Sequence, residues 1–322
     1  MNEEQVLQRI ASGASTGLLW AAGVHLGIGD DAALFKPLPG HQVILTCDWS
    51  LEGTHFLRDK HPADAVGWKS LARAVSDVAA MGGTPRCYLL SLALPSSHIG
   101  KWLALFLGGL RRASRAFGCE LAGGDTTRRD TILINITVVG EIAPGRVLRR
   151  KGARPGDLIF VSGRLGEADR GWEYLQNSRN RVNARNPRLR KHFYPEPRLA
   201  LGEWIARNKL ASSMMDVSDG LSVDLPRLCA ASAVGARIEV SRLPMVQDVE
   251  IERATRLALH GGDDYELLFT VAPSRARHIP GKFRGLPITQ IGKIVRERKT
   301  EVFAENGSVY RLKPHGWDPL RS

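Results

Sequence analysis

Cysteine is scarce in this chain. There are 4 in 322 residues, Cys47, Cys87, Cys119 and Cys229, and no two form a CxxC pair. That pattern excludes a disulfide scaffold or a zinc ribbon and suits a reducing compartment. Long apolar runs are missing too: 103–107 is among the longest, far short of the ~20 residues that span a bilayer. Glu3 and Glu4 stand where a secretory leader would be basic and then apolar, so export is not expected and a cytoplasmic location is. Acidic residues are in deficit, 33 against 45 basic ones, for a formal charge of +12. Such a charge raises nucleic acid as a partner, yet it bears on association and not on fold or chemistry. What is present is ordinary globular material, 43% hydrophobic and 24% charged, which excludes a disordered or fibrous chain. The length suits two domains.

Strand-like runs are expected at 43–46, 88–94 and 131–139, the last with Ile132, Ile134 and Ile136 alternating onto one face. Helical spacing places Leu71, Val75 and Val78 on one face of a helix over 63–81, and Trp102, Leu105, Phe106 and Leu110 on another over 98–117. Pro144-Gly145 breaks the pattern, dividing an N-terminal domain (1–143) from a C-terminal one (144–322). The second half restarts with a strand at 158–162. Helices follow at 199–208 and 221–232, and strands at 237–240, 265–271 and 289–295, with a terminal pair near Val302 and Tyr310. Mixed elements in both halves predict a two-domain α/β or α+β protein. Residues 177–198 read as a solvated, irregular segment with seven Lys/Arg, one Glu and three Pro. Only Phe193 and Tyr194 accompany its charges, too few aromatics for a base-stacking surface, so nucleic acid is not the expected partner.

Gly and Asp recur together at Gly27-Ile28-Gly29-Asp30-Asp31, Gly123-Gly124-Asp125 and Gly261-Gly262-Asp263-Asp264. Two further acidic segments are Thr46-Cys47-Asp48 and Asp216-Val217-Ser218-Asp219-Gly220. The first formally fits GxGxxA, but Asp30 and Asp31 occupy the turn that would face a pyrophosphate, and Lys36-Pro37 follows too soon for a helix. A P-loop is absent, since each Gly-Lys pair continues to Trp102, Phe283 or Ile294 and never to Ser or Thr. Taken singly, each segment reads as a turn, with Ser218 or Asp219 a helix cap before Leu221. Taken together they ask for a cation. Two carboxylates ~4 Å apart repel by roughly 4 kcal/mol at an effective dielectric of about 20. Mg²⁺ shared between carboxylates and phosphates meets that need and hints at an ATP site.

These segments, with Cys47-Asp48-Trp49-Ser50-Leu51-Glu52-Gly53-Thr54-His55-Phe56, Ser76-Asp77-Val78-Ala79-Ala80-Met81-Gly82 and Lys151-Gly152-Ala153-Arg154-Pro155-Gly156-Asp157, resemble the thiamine-monophosphate kinase family. The matches keep the family's order from Gly27 to Trp317. The resemblance implies an N-terminal α/β domain whose sheet pairs with that of a second subunit in a homodimer, and a C-terminal α/β domain closing over it. It implies the reaction ATP + thiamine monophosphate → ADP + thiamine diphosphate. By position it implies magnesium ligands at Asp31, Asp48, Asp77, Asp125, Asp216 and Asp219, with Thr46 and Cys47 alongside. Nucleotide contacts are implied at Gly124, Asp125, Arg150 and Ser218, and substrate contacts at His55, Asp263 and Trp317. Cys47 departs from the family's usual Thr or Ser; a thiol is a poor magnesium ligand, which leaves the backbone carbonyl. Asp263 stands where a longer Glu is also common.

The expected mechanism is direct in-line attack by the substrate's phosphate on the γ-phosphate, without a phospho-enzyme. A phosphate monoester, with a second pKa of about 6, needs no strong general base. Arg150 is expected to clamp phosphate and Trp317 to offer a π-face to the cationic thiazolium. The rival readings are a sister synthetase of the same superfamily, a basic nucleic-acid-binding protein and a catalytically dead scaffold. A selenide enzyme would show an early reactive Cys, whereas the first here is Cys47; a hydrogenase-maturation relative would end in Cys, whereas this chain ends Arg321-Ser322.

Overall fold

The protein is described from a computed structural model, which covers residues 3–178, 183, 186–304 and 306–318. Helix α1 (Glu3–Ala14) leads into a small pair, β1 (Val24–Leu26) and β2 (Leu34–Phe35). The N-terminal layer then runs β3 (Gln42–Leu51), α2 (Ala63–Ala80), β4 (Thr84–Leu94), α3 (Lys101–Phe117), β5 (Glu120–Arg128) and β6 (Leu133–Ile142). Its sheet has the order β3-β6-β4-β5, so β3 and β5 are its two edges. Alternation builds it: Ile134, Ile136 and Val138 of β6 are fully buried against the helices.

The C-terminal half contributes β7 (Leu158–Ser162), α4 (Glu167–Asn177), α5 (Arg190–Phe193), α6 (Leu199–Arg207), β8 (Ser213–Val217) and α7 (Leu221–Ser232). It continues through β9 (Gly235–Glu239), α8 (Ile251–His260), β10 (Glu266–Val271), α9 (Pro273–Ala276), β11 (Lys282–Phe283), β12 (Leu286–Val295), β13 (Thr300–Phe303) and β14 (Val309–Arg311). Its sheet has the order β14-β13-β9-β12-β7-β10-β8, with β11 pairing to β12. The two-domain α/β architecture is therefore the one expected. Among the described residues no helix is long and apolar enough to cross a membrane.

Helix α2 joins the two layers. It contacts β3, β6 and α3 on one side and α5, α6 and β8 on the other. Two glycines permit the close crossing of α2 and α3. A Cβ on Gly109 would lie 1.9 Å from the Asp64 carbonyl oxygen, and one on Gly67 would lie 2.2 Å from that of Phe106. A helix enclosed this way holds any polar side chain in one place, which is why α2 can carry the site.

Several expectations need correction. Gly123-Gly124-Asp125 is not a turn but the middle of β5, parallel to β4. Gly124 has φ +151° and lies so close to β4 that a Cβ would sit 1.9 Å from the Leu90 carbonyl oxygen; a tight strand crossing explains the glycines there. The cap of α7 is also different. Asp224 reaches back to accept from the Ser218 and Asp219 amides at 3.1 and 3.0 Å, and neither Ser218 nor Asp219 caps with its own side chain.

The basic segment is not simply solvated. Residues 179–182 and 184–185 lie outside the described part, but His192 and Phe193 are buried. Lys191 and Arg198 turn inward onto the fully buried Glu266. Trp68 donates to the Pro195 carbonyl at 2.7 Å, Tyr194 to Asp64 at 2.9 Å and Lys60 to the Leu175 carbonyl at 2.8 Å. The segment thus straps α2 to the C-terminal domain, and two of its cations are spent inside the protein.

Candidate active site

A cavity of about 480 Å³ opens beside α2, its acidic wall formed by Asp48, Asp77, Asp216 and Asp219 with Arg150 and Ser218. His55, Asp263, Trp317, Trp172, His192 and Arg73 line it as well and adjoin that wall: the Asp263 amide donates to the Ser218 carbonyl at 2.7 Å and the Trp317 amide to that of Asp219 at 3.0 Å. They arrive from several elements. Asp48 lies on β3 and Asp77 near the end of α2; Asp216 is on β8, and Ser218 and Asp219 follow it. Residues that are scattered along the chain therefore converge, and every one of these except Arg73, Trp172 and His192 belongs to the expected set.

Asp31, Cys47, Gly124 and Asp125 do not line this cavity. Asp125 is on the opposite edge of the N-terminal sheet. It pairs with Ser91, which pairs with Asn135, which pairs with Trp49 beside Asp48. Three steps of ~4.8 Å put the two edges about 14 Å apart. Asp31 lies outside that sheet, between β1 and β2, and Gly27 of its segment approaches Ala122 of β5. On β3, alternation sends Thr46 and Asp48 toward α2, while Cys47 is exposed on the other face. Thr46 donates its hydroxyl to Asp77 and lines a neighbouring cavity of about 720 Å³ that shares Asp77, Arg150 and Asp216.

The acidic wall is crowded. Burial first, and then Asp77, pushes the Asp216 carboxyl up to about 8. Burial likewise pushes Asp48 up to about 6, with Arg73 opposing and Asp77, Asp263 and Asp219 adding to the rise. Asp77 is raised by burial against the hydroxyl of Thr46 and the charges of Arg150 and Arg73. These groups sit where their anionic forms are disfavoured until a cation arrives. Among the described residues, no three His, Cys, Asp or Glu side chains converge closely enough to hold an ion unaided.

Asp263 behaves in the opposite way. Burial would raise it, but Lys69, Arg73 and His192 hold it well below the usual carboxylate range. It accepts from Lys69 at 2.7 Å, Arg73 at 3.2 Å and the Tyr265 hydroxyl at 2.6 Å. Behind Lys69, His61 accepts the Leu57 amide on Nδ1, which leaves its proton on Nε2 facing His192 Nε2 at 3.0 Å. Burial and Lys69 push both imidazoles down, His61 to about 3. His55 is lowered to about 4, chiefly by burial and then by Arg73, and its ring stands 6.0 Å from that of Trp317. A neutral aromatic wall beside a fixed carboxylate is suited to a flat organic cation.

Lys69 and Arg73, like Trp172 and His192, lie outside the expected set. With Asp77 they occupy positions i, i+4 and i+8 of α2, a charged stripe on a helix otherwise buried in small and apolar side chains. That stripe was visible in the sequence as an anomaly, because buried charges are retained only when paired or functional.

Comparison with known proteins identifies the family. The family model described as AIR synthase related protein, N-terminal domain, matches residues 29–142, and that of the C-terminal domain matches 154–305. The thiamine-monophosphate kinase of Escherichia coli (strain K12) is 37% identical over 303 residues, 92% of each chain. That of Bacillus subtilis (strain 168) is 35% identical, covering 87% of this chain and 89% of its own. Among solved structures, thiamine-monophosphate kinase from Stenotrophomonas maltophilia K279a superimposes with a TM-score of 0.82 at 34% identity, covering 94% of this chain and 96% of that one. AaThiL complexed with AMPPCP and TMP gives 0.77 at 32%, covering 99% and 97%. A hydrogenase maturation protein HypE reaches 0.77 at only 18% identity, a likeness of fold alone. The chain belongs to the AIR synthase related family and, within it, to the thiamine-monophosphate kinases.

Proposed function

We propose that this protein transfers the γ-phosphoryl group of ATP to thiamine monophosphate, yielding ADP and thiamine diphosphate. One observation carries the reading: a single cavity gathers a crowded set of carboxylates and, adjoining it, neutral aromatic rings beside one fixed carboxylate. The first suits a metal-bound triphosphate and the second a cationic heteroaromatic acceptor. The AaThiL relative, complexed with AMPPCP and TMP, supports the same pairing of ligands.

The donor set fits magnesium. Asp48, Asp77 and Asp216 are crowded carboxylates that burial raises despite Arg73 beside Asp48 and Arg150 and Arg73 beside Asp77, and magnesium takes one or two carboxylates along with phosphate oxygens and water instead of a full protein cage. These three would hold the metal, which when bound supplies neutralisation of the triphosphate and of the incoming acceptor. The rest is positioning. Arg150 and Ser218 line the cavity for the nucleotide, and His55 and Trp317 line it for the acceptor. The acceptor phosphate attacks in line and is already deprotonated enough near pH 7 to need no protein base.

A homodimer completes the reading. The outward face of β3 exposes Val43, Leu45 and Trp49, the last two 71% and 52% accessible, and both edges of that sheet are unpaired within the chain. A second copy laying its β5 edge beside β3 would deliver Asp31, Gly124 and Asp125 to Asp48 and Asp77. Cytoplasmic residence accords with the ATP requirement and with the four unpaired cysteines.

The test is an acceptor panel. Pure protein, ATP and Mg²⁺ are incubated with thiamine monophosphate, with thiamine or with no acceptor, and the products are resolved by chromatography. Thiamine diphosphate is expected from the monophosphate alone, and its absence there would overturn the assignment.

A further inference from the structure

We infer that Arg73 is the clamp for the acceptor's phosphate, and that it sets the preference for a phosphorylated over an unphosphorylated acceptor. The inference rests on the substrate reading given above and deepens it.

Position comes first. Arg73 lies one turn from both Lys69 and Asp77 on α2, and its side chain lines the cavity while only 13% exposed. Its Nη2 is 3.8 Å from Asp48 and its Nη1 is 3.2 Å from Asp263. It therefore stands between the wall suited to the triphosphate and the wall suited to the organic cation. The acceptor phosphate must occupy that place, since it links the thiamine moiety to the phosphorus it attacks.

Unused bonding capacity comes second. A guanidinium carries five donors. Among the described residues, the one hydrogen bond from Arg73 is that to Asp263, and its buried Nε has no partner. Asp48, at 3.8 Å, is beyond hydrogen-bond reach. The guanidinium charge is met by Asp263 and Asp48, but most of its donors are left for a further acceptor.

A plain structural role does not account for it. Asp263 is already met by Lys69 at 2.7 Å and Tyr265 at 2.6 Å, so it does not need a second cation. Asp263 instead anchors one arm of Arg73, and the other points into the cavity toward Asp48, which is too far for a hydrogen bond. Arginine also suits the task better than lysine, because its planar fork binds two phosphate oxygens at once.

The test measures binding without turnover. Isothermal titration with Mg²⁺ present compares thiamine monophosphate with thiamine on the wild type, Arg73→Gln and Arg73→Lys, alongside melting temperatures. Arg73→Gln is expected to weaken thiamine monophosphate roughly 10–100-fold while thiamine changes less than about twofold. Arg73→Lys should lose about tenfold for the monophosphate, having the charge without the fork. If Arg73→Gln does not fold, the lysine variant decides alone. Equal weakening of both ligands, or an unchanged affinity for the monophosphate, would overturn the inference. A wild type that binds no thiamine monophosphate would instead defeat the substrate reading and this inference with it, and the wild-type titration separates the two failures.

Discussion

Asp77→Asn is expected to lower the turnover of thiamine monophosphate by about 10²–10³-fold while leaving the fold intact, the size of loss seen when one preorganised electrostatic contact to a transition state is removed. Asp77 has the strongest claim to that role because it lies where the parts meet. It lines both the 480 Å³ and the 720 Å³ cavities, accepts from Thr46, and is the neighbour that most raises Asp216. The substitution keeps the shape and removes the charge. The effect on stability should have the opposite sign to that on activity. The Asp77 carboxyl is pushed up in the fold, so its ionised form is disfavoured there relative to the unfolded chain, and neutralising it near pH 7 relieves that penalty. A melting temperature unchanged or raised, with kcat collapsed, is the expected pair of results. A kcat within about threefold of the wild type would remove Asp77 from the metal site.

The second large effect concerns stability. Glu266→Gln should destabilise the protein by about 3–5 kcal/mol, the usual cost of breaking a buried ion pair from one side. Glu266 is fully buried and accepts from Lys191, Arg198 and Ser162. Burial would raise its carboxyl, yet Lys191 and Arg198 hold it down at about 2. A depressed carboxylate contributes stability above its ordinary value near 4.5, and that contribution is lost as pH falls toward 2. Glutamine leaves Lys191 and Arg198 facing a neutral amide. Melting temperature should fall by roughly 6–20 °C, and most of the acid sensitivity due to this group should disappear. Arg190, whose partner Glu196 is 54% exposed, serves as the control, and Arg190→Ala should change stability by less than about 0.5 kcal/mol. A Glu266→Gln variant as stable as the wild type would mean that the strap from residue 190 to 198 is not held by this cluster.

The parts of the fold that could be read from the sequence are those whose pattern is local. Ile134, Ile136 and Val138 alternate on β6, and Leu71, Val75 and Val78 repeat at helical spacing on α2, because each faces one continuous core. The sequence pattern leaves out helices α1, α4 and α8; in α4 the buried side is only Ala168, Gly171 and Leu175. Strand β5 was read as a turn because Gly123-Gly124 answers to a backbone approaching from β4, a neighbour more than thirty residues away.

The site followed the same division. The aspartates announced themselves because Gly and Asp recur together at intervals along the chain, and the cavity gathers Asp48, Asp77, Asp216, Asp219 and Asp263. No pattern indicated which of the expected residues one chain leaves apart: Asp125 lies at the far edge because of sheet order, which periodicity does not encode, and Asp31 lies outside that sheet. Nor did the run of arginines reveal that Lys191 and Arg198 turn inward, since their partner Glu266 is distant in sequence. The +12 charge that first suggested nucleic acid is in part internal structure.

The fate of the γ-phosphoryl group tests the account most directly. The protein is mixed with ATP labelled at the γ-phosphorus, Mg²⁺ and thiamine monophosphate, and the label is followed through a single turnover. The account predicts that label leaves ATP and appears in the terminal phosphate of thiamine diphosphate in equal amount, with none carried on the protein at any time. Label trapped on the protein, or released as inorganic phosphate while thiamine monophosphate stays unchanged, would contradict it.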